Sequence, residues 1–289
     1  MKIKILIPVY NDWKSVFKVL EEINNLDLNS EFRVSVIIIN DASNHDLPDL
    51  EKSLKNIDSI KVLNMNKNQG HTRSIAVGLK YIFEKEDFDY AIPMDGDGED
   101  RPEEIKVFLD KVENSKGKTF VGERVKRSEK TIFKICYQIH KLITLVFTGR
   151  SIKFGNYTCL SKSTVEKLIN EKATWNSFSG SLTKVDSDLT PIPSVRGPRY
   201  FGPSQMSFIK LIKHSLAIIS VFRKTFLIRS ALFIVTYILM IKSNASIITS
   251  LPLVLLLIAV YLVSNLSLRE NMDEFKNSLS QIKNIDQIK

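Results

Sequence analysis

The sequence has little cysteine and none of the cysteine patterns that bind metals. Its 289 residues include two cysteines, Cys136 and Cys159, which form neither a CxxC pair nor a Cys/His cluster. A disulfide-stabilised scaffold and a cysteine-based metal site are therefore excluded. We expect free thiols in a reducing, cytoplasmic-side environment.

The glycine patterns that commonly bind nucleotides are absent as well. The sequence contains no GxxxxGK and no GxGxxG, and Gly96 and Gly98 provide only a GxG spacing. Any phosphate-binding apparatus would therefore have to use a metal ion and arginine side chains. Nucleic-acid-binding signatures are also lacking, so the net charge of +9 indicates an anionic lipid surface and a phosphate-bearing substrate, and no nucleic acid.

The front of the chain alternates strands and helices. Short apolar or β-branched runs at 3–9, 34–39, 60–63 and 90–94 predict strands, and apolar residues at helical spacing lie between them, including a helix over 71–85. This order predicts an α/β fold with a mainly parallel sheet covered on both faces.

The back of the chain is far more apolar. Residues 247–266 contain no charge and are long enough to cross a bilayer, and 226–241 form a shorter second candidate span. We expect a transmembrane hairpin over 226–266. Residues 208–225 mix apolar and basic side chains, which predicts an amphipathic juxtamembrane helix, with an ordinary helix packed on the preceding domain as the alternative. Residues 267–289 are expected to be a cytoplasmic tail.

Charge around the hairpin predicts its orientation. Arg223, Lys224 and Arg229 precede or begin the first span and Arg269 follows the second, whereas the linker carries Lys242. Because basic residues favour the cytoplasmic side, we expect both chain ends to be cytoplasmic, with Arg229 snorkelling to the interface.

An acidic segment, DGDGED at 95–100, follows the strand at 90–94. Its carboxylates would repel one another unless they were paired or bound a cation. Asp95 and Asp97 are alternate residues, and Glu99 could add a third oxygen. Oxygen ligands of this kind suit Mg²⁺ or Mn²⁺, and a solvated acidic turn is the alternative.

Six stretches in order along about residues 1–210 resemble the motifs of one enzyme family. They are IPVYND (7–12), INDAS (39–43), NKNQGHTRSIAVG (66–78), MDGDGEDRPEE (94–104), GERVKR (122–127) and RGPRYFGPSQMS (196–207). The chain resembles glycosyltransferase family 2, with the Rossmann-like GT-A fold. Within that family it is similar to the branch of dolichyl- and polyprenyl-phosphate sugar transferases, in which a terminal membrane hairpin also occurs.

The resemblance implies a nucleotide-diphosphate-sugar donor and a set of site residues. It implies catalytic roles for Asp95, Asp97, Arg124 and Arg127, with Asp95, Asp97 and Glu99 as ligands of Mg²⁺ or Mn²⁺. It implies that the donor is bound by Pro8, Tyr10, Asp12, Asp41, Gly70 and Arg73. It implies that the acceptor phosphate is bound by Arg196, Arg199, Ser204 and Gln205.

Several residues depart from the family pattern. Asn40 replaces the first Asp of the family's Asp pair, Glu99 replaces a Gln, and Gln205 replaces a Lys expected near a phosphate. The arginines could also be solvated surface cations. His71 is interpreted as a capping or surface residue, and Trp175 as a packing residue.

We therefore expect a GT-A domain over 1–207 and a membrane-anchored, metal-dependent, inverting glycosyltransferase that uses a polyprenyl phosphate acceptor. The expected site of action is a bacterial inner membrane, and a homo-oligomer is left open. One alternative is transfer to a lipid-linked glycan or another cell-surface polysaccharide. Another is a non-catalytic membrane protein that binds nucleotide-sugars.

Overall fold

A computed structural model of the chain describes residues 1–48, 54–126, 131–203 and 207–289. The strands are β1 (Lys2–Val9), β2 (Arg33–Asn40), β3 (Ser59–Met65), β4 (Tyr90–Pro93), β5 (Thr119–Lys126), β6 (Phe154–Ser161), β7 (Leu189–Val195) and β8 (Ile282–Gln287). The helices of the first two thirds are α1 (Trp13–Asn24), α2 (His71–Lys85), α3 (Glu104–Asn114), α4 (Thr131–Thr148), α5 (Lys162–Ile169) and α6 (Phe178–Val185). They are followed by α7 (Phe208–Ser220), α8 (Arg223–Ile241), α9 (Ile247–Ser267) and α10 (Met272–Lys276), and short 3-10 turns lie at Lys172–Trp175 and Ser278–Gln281.

The strands form one sheet in the order β7-β5-β6-β4-β1-β2-β3-β8. The central strands β4, β1, β2 and β3 are parallel, while β6 runs antiparallel to β4 and β5. Seven of the eight residues of β1 are buried, as expected for a strand covered on both faces. The predicted α/β fold with a mainly parallel sheet is confirmed.

Successive side chains of the strands enter two separate cores. Ile3, Ile5 and Ile7 pack with α1 and α3 on one face of the sheet. Leu6 and Ile37 pack with α2, α5 and α6 on the other. This alternation follows from the two-residue period of a strand, and it fixes the register that brings the polar strand ends to one edge.

Helices α8 and α9 coincide with the two predicted spans. Both are long and apolar enough to cross a membrane by length and composition, and most of their side chains are exposed. The amphipathic helix α7 ends against the GT-A-like domain, where Asn176 on the domain donates to Ser220 at 2.9 Å. A Cβ at Gly180 of α6 would lie 2.9 Å from Val221, so the helix approaches closely there.

Helix α4 presents a further apolar surface, which the sequence pattern does not predict. Several of its large apolar side chains are more than 40% exposed, among them Leu142 and Val146. Phe147 packs against Phe226 and Phe233 of α8. Arg229 of α8 donates to the carbonyl of Val146 at 2.7 Å, so this arginine satisfies carbonyls at the end of α4, where a cation is favoured.

Residues 267–289, expected as a tail, return to the domain. After α10 and a 3-10 turn, β8 pairs antiparallel with β3 and becomes the edge strand of the sheet. Both ends of the α8–α9 hairpin are therefore attached to the same domain. Strand β8 pairs with β3 through backbone groups, and most of its residues are exposed. Its sequence therefore shows little of the apolar pattern that predicts a buried strand.

Candidate active site

Loops after β1, β2 and β4 meet at the carboxyl edge of the sheet, where ligands bind in open α/β folds. Pro8 is buried in β1 and pairs with Ile39, whereas Tyr10 just beyond the strand is 49% exposed. Asn11, in the loop after β1, and Ala42, in the loop after β2, both have positive φ, at 56° and 58°. Non-glycine residues with this backbone conformation are uncommon and concentrate at functional sites.

Asp41 connects the end of β2 to the start of α2. Its two carboxylate oxygens accept from the backbone N–H groups of Gln69 and Gly70 at 2.7 and 2.8 Å. Gly70, with φ of 89°, is the N-cap residue directly before α2. Burial raises the pKa of Asp41, and the two N–H donors oppose that shift. The structure therefore brings Asp41 and Gly70 together, and the Asp41 carboxylate holds the backbone of Gln69 and Gly70 directly before α2.

The acidic segment after β4 is held by groups from both halves of the domain. Asp95 lies 3.1 Å from His71 of α2, and Asn156 of β6 contacts the same imidazole at 2.8 Å. The buried carboxyl of Asp100 accepts from the Asp95 N–H at 2.9 Å. A Cβ at Gly155 would lie 2.8 Å from Arg124, which places that guanidinium against β6 near these acids.

The segment after β7 lies directly on the acidic loop. The guanidinium of Arg199 forms ion pairs with Asp12 and with Asp97, the latter at 2.6 Å, and Arg196 forms an ion pair with Glu99. The Tyr200 N–H donates to the Asp97 carbonyl at 2.9 Å. The two groups that the sequence assigns separately to metal and acceptor phosphate are thus in contact.

The tight packing explains two glycines. A Cβ at Gly98, where φ is 89°, would lie 2.5 Å from the Tyr200 ring, and a Cβ at Gly197 would lie 2.6 Å from the Gly98 carbonyl. Only glycine permits this backbone conformation at such close approach without strain.

The crowded carboxylates have strongly altered pKa values. Burial, together with the negative charge of Asp95, raises the pKa of Asp97 to about 6, although Arg199 opposes the shift. Burial and Asp95 raise the pKa of Asp100 to about 8. Burial alone would raise the pKa of Asp95 and lower that of His71, but their mutual attraction outweighs it, so the pKa of Asp95 is lowered and that of His71 is raised. The site therefore favours one firmly ionised carboxylate beside others that resist ionisation.

The donor set suits a hard divalent cation only in part. Within the described ranges, no group of three or more His, Cys, Asp or Glu side chains is arranged to hold a metal ion. Asp95 and Asp97 are nevertheless two partly exposed carboxylates whose negative charges act on each other, and a cation relieves such repulsion. Mg²⁺ commonly uses one or two protein carboxylates and takes its remaining ligands from substrate phosphates and water, so the pair fits that type of site.

Other predicted site residues lie elsewhere or outside the described chain. Arg73 packs 4.7 Å from the ring centre of Trp175 and pairs with Glu274 of α10 at 3.3 Å, on the side of α2 that faces the segment after the hairpin. Arg127, Ser204 and Gln205 lie outside the described residues.

Sequence reasoning missed the roles of His71, Asn156, Asp100 and Tyr200 at the site. His71 directly follows Gly70, the N-cap of α2, and Asp100 is the last residue of the acidic segment. Their positions next to predicted site residues could therefore have indicated that they belong to the site. Asn156 and Tyr200 reach the acids through the fold, from β6 and from the segment after β7.

Comparisons with known proteins agree with this architecture. The undecaprenyl-phosphate 4-deoxy-4-formamido-L-arabinose transferase of Proteus mirabilis (strain HI4320) is 26% identical over 226 residues, which are 73% of this chain and 64% of that protein. The protein of the same name from Klebsiella pneumoniae (strain 342) is 24% identical over 226 residues with the same coverage. The chain thus spans slightly less than two thirds of the length of these relatives.

A solved structure shares the fold. Glucosyl-3-phosphoglycerate synthase from Mycobacterium tuberculosis, in complex with Mn²⁺, UDP-glucose and phosphoglyceric acid, superposes with a TM-score of 0.57 at 11% identity, covering 78% of this chain and 79% of that one. The family model described as "Glycosyl transferase family 2" matches residues 4–178, which is more than half of the chain. The resemblance read from the motifs is confirmed, and the chain belongs to glycosyl transferase family 2.

Proposed function

We propose that the protein is a membrane-anchored, metal-dependent glycosyltransferase that moves a sugar from a nucleotide-diphosphate-sugar to a polyprenyl phosphate, with inversion at the anomeric carbon. The observation that carries the proposal is the cluster at the carboxyl edge of the sheet. There Arg199 pairs with Asp12 and Asp97, close to the charge of Asp95, and the chain continues from this arginine towards α7 and the hairpin.

The donor side follows from the strand ends. Tyr10 and the turn at 40–43 border an open edge next to the start of α2, where a nucleoside can lie. Arg124 and Arg196 both carry positive charge close enough to affect Asp95, so they can contact a diphosphate in the same place. When bound at Asp95 and Asp97, Mg²⁺ or Mn²⁺ would supply Lewis-acid stabilisation of the departing diphosphate.

The acceptor side follows from the apolar surfaces. Exposed side chains of α4 and α7, including Leu142 and Ile209, adjoin the long helices α8 and α9. Helices of this composition suit the interface of a bilayer, where the phosphate of a polyprenyl lipid lies. The relatives' names, which specify an undecaprenyl phosphate, support the same acceptor.

The charges of the site then account for the reaction. An oxygen of the lipid phosphate forms a bond to the anomeric carbon, while the bond from that carbon to the diphosphate breaks and its electron pair leaves with the nucleotide. A phosphate monoester is already largely anionic at neutral pH, with a second pKa of about 6, so no strong general base is required. The arginines provide fixed positive charge where negative charge accumulates on the leaving group.

A transfer assay tests the proposal. The detergent-solubilised full chain is incubated with each of a panel of radiolabelled nucleotide-sugars, with undecaprenyl phosphate, and with Mn²⁺, Mg²⁺ or a chelator. We expect label to enter the lipid fraction with one donor and only with a divalent cation. Asp97→Asn should lower this rate by about 100-fold or more, as expected for loss of a group that stabilises the reacting charges.

Asp87→Asn is the matched control, since Asp87 is an exposed carboxylate whose ion pair is with Lys2, at the other end of β1. It should leave the rate unchanged. Hydrolysis or binding of a donor without any label in the lipid phosphate would refute the acceptor. A rate unaffected by Asp97→Asn would refute the assigned role of that carboxylate.

A further inference from the structure

The strand after the membrane hairpin is connected by side chains to the donor edge of the sheet. On β8, Asp286 accepts from the Asn64 side-chain amide of β3 at 2.7 Å. The side-chain oxygen of Asn64 in turn accepts from the side-chain amide of Asn40 on β2, also at 2.7 Å. The side-chain oxygen of Asn40 then accepts from the Ser43 N–H at 3.0 Å. We call these four residues the amide relay.

The relay ends on the turn that borders the donor edge. The bond from Ser43 to Asn40 closes the turn around Ala42, which is held at a φ of 58°. The Ser43 hydroxyl also accepts from the Asn11 N–H at 2.9 Å, so the same turn supports the loop after β1. Asp41 lies within this turn and orients the backbone of Gln69 and Gly70.

The direction of every bond in the relay is set jointly by its two ends, Asp286, which accepts, and the Ser43 N–H, which can only donate. An ionised carboxylate can only accept, so Asn64 must present its amino group to Asp286 and its oxygen to Asn40. Asn40 must then present its amino group to Asn64 and its oxygen to the Ser43 N–H. The other oxygen of Asp286 accepts from Asn284 at 2.8 Å, so both of its oxygens face donors.

We propose that Asp286 is a positioning residue for donor binding, which holds Asn64, and through it Asn40, in the orientation that the Ser43 N–H requires and thereby orders the nucleotide-facing turn at 40–43. The inference rests on the proposed function, since it assigns the turn to the nucleoside diphosphate of the donor. It also assigns a role to Asn40, whose side-chain amide donates to Asn64 and accepts from the Ser43 N–H.

The test removes the acceptor at the β8 end of the relay. Asp286→Ala leaves the Asn64 amino group without its partner, so that no side chain of β8 holds Asn64 against Asn40. Asp286→Asn alone would not do this, because its amide oxygen can accept from Asn64 while its amino group faces the exposed side where Asn284 lies. We therefore expect Asp286→Ala to weaken binding of a nucleoside diphosphate about tenfold, as for loss of one partly buried hydrogen bond.

The double variant Asn64→Asp with Asp286→Asn restores the relay. The new amide at position 286 then donates to the carboxylate at position 64 and accepts from Asn284, while that carboxylate accepts from Asn40. Net charge is unchanged. Asn64→Asp alone should be harmful because it places two carboxylates in contact, so recovery in the double variant would be a strongly non-additive result. Asn284→Ala is the control, since it removes only an exposed contact of Asp286.

Two readouts are taken on the detergent-solubilised full chain. The first is the dissociation constant for UDP, GDP, CDP and ADP with Mn²⁺, measured by calorimetry. The second is hydrogen exchange of a peptide that spans 40–44, measured without ligand. Asp286→Ala and Asn64→Asp should each raise both the dissociation constant and the exchange rate about tenfold, and the double variant should return both towards wild type.

The outcomes separate the two proposals. Unchanged exchange in Asp286→Ala would overturn the relay, whatever the protein binds. Faster exchange with unchanged nucleotide affinity would overturn the positioning role. If the wild type bound none of the four nucleotides, the proposed function would fail, while the exchange data would still decide whether the relay orders the turn.

Discussion

At the scale of single residues, the charges of the site balance one another in the absence of substrate. Arg199 lies between Asp12 and Asp97, and Arg196 lies against Glu99. A cation and a diphosphate would bring positive and negative charge in equal measure to the same place. The cation can therefore replace the arginines as partner of the carboxylates, and the diphosphate can replace the carboxylates as partner of the arginines. No buried charge is then left unpaired, which would be costly.

The altered pKa of Asp97 predicts how cation binding depends on pH. Because burial and Asp95 raise this pKa to about 6, the carboxylate is ionised at pH 7 and takes up a proton as the pH falls through 6. A proton and a cation compete for the same oxygens. Below about pH 6 the affinity for Mn²⁺ with nucleotide should thus fall by up to about tenfold per pH unit.

Calorimetric titrations at pH 5, 6, 7 and 8 check this expectation. Asp97 gives no reason for a change between pH 7 and pH 8, since the carboxylate is ionised at both. An affinity that stays constant down to pH 5 would show that Asp97 does not contribute to cation binding.

At the scale of elements, the segment after β7 is built to lie on the acidic loop. Gly98→Ala would place a methyl group against the Tyr200 ring, at a position whose φ is already 89°. We expect the variant to lower the free energy of unfolding by about 1–3 kcal/mol and to weaken donor binding, because overpacking moves the loop.

Gly117→Ala provides a matched control for that prediction. Gly117 has a similar φ of 80°, but an added Cβ would meet nothing within 4 Å. The control therefore carries the backbone strain without the collision. Thermal unfolding and nucleotide titration of both variants separate the two effects, and equal losses would show that contact with Tyr200 is unimportant.

Elements with strong periodicity could be predicted from the sequence. The helix expected over 71–85 is α2 with the same bounds, and the uncharged run at 247–266 lies within α9. Helix α4 was missed because basic residues such as Lys141 interrupt its apolar run. Strand β8 was missed because its pairing with β3 depends on backbone groups of a strand more than two hundred residues earlier.

Site residues were predictable where a motif placed them on the strand ends, as for Asp95, Asp97 and Asp41. Their partners were not. The pairing of Arg199 with Asp12 joins residues 187 positions apart, and only the three-dimensional fold brings them together. Arg73 shows the converse: its motif lies beside the site, but its side chain extends along α2 to Trp175 and Glu274.

At the scale of the whole molecule, the return of β8 to the sheet constrains the topology. The chain leaves the domain after α7, whose end packs on it, and rejoins it after α9, so the two ends of the hairpin should lie on the same side of the membrane. Only the linker between α8 and α9 would then reach the opposite side. Arginines near both ends of the hairpin favour a location of the domain on the cytoplasmic side of the membrane.

Cysteine labelling in intact cells tests this arrangement. In a Cys136→Ser background, Asn244→Cys in the linker should react with a membrane-impermeant maleimide added outside. Lys283→Cys on β8, whose side chain is exposed, should react only after the membrane is opened. Cys159 is buried and should stay unlabelled. External labelling of both introduced cysteines would contradict the proposed topology.

The chemical identity of the product decides whether the protein transfers a sugar to polyprenyl phosphate. We expect the lipid fraction from the wild-type reaction to contain one sugar joined to polyprenyl phosphate through a single phosphate. Its anomeric configuration should be opposite to that of the donor, as mass spectrometry and NMR would show. The proposed function would be contradicted by a product with retained configuration or by a sugar attached to a glycan. It would also be contradicted if the reaction released only free sugar, whether or not the lipid was present.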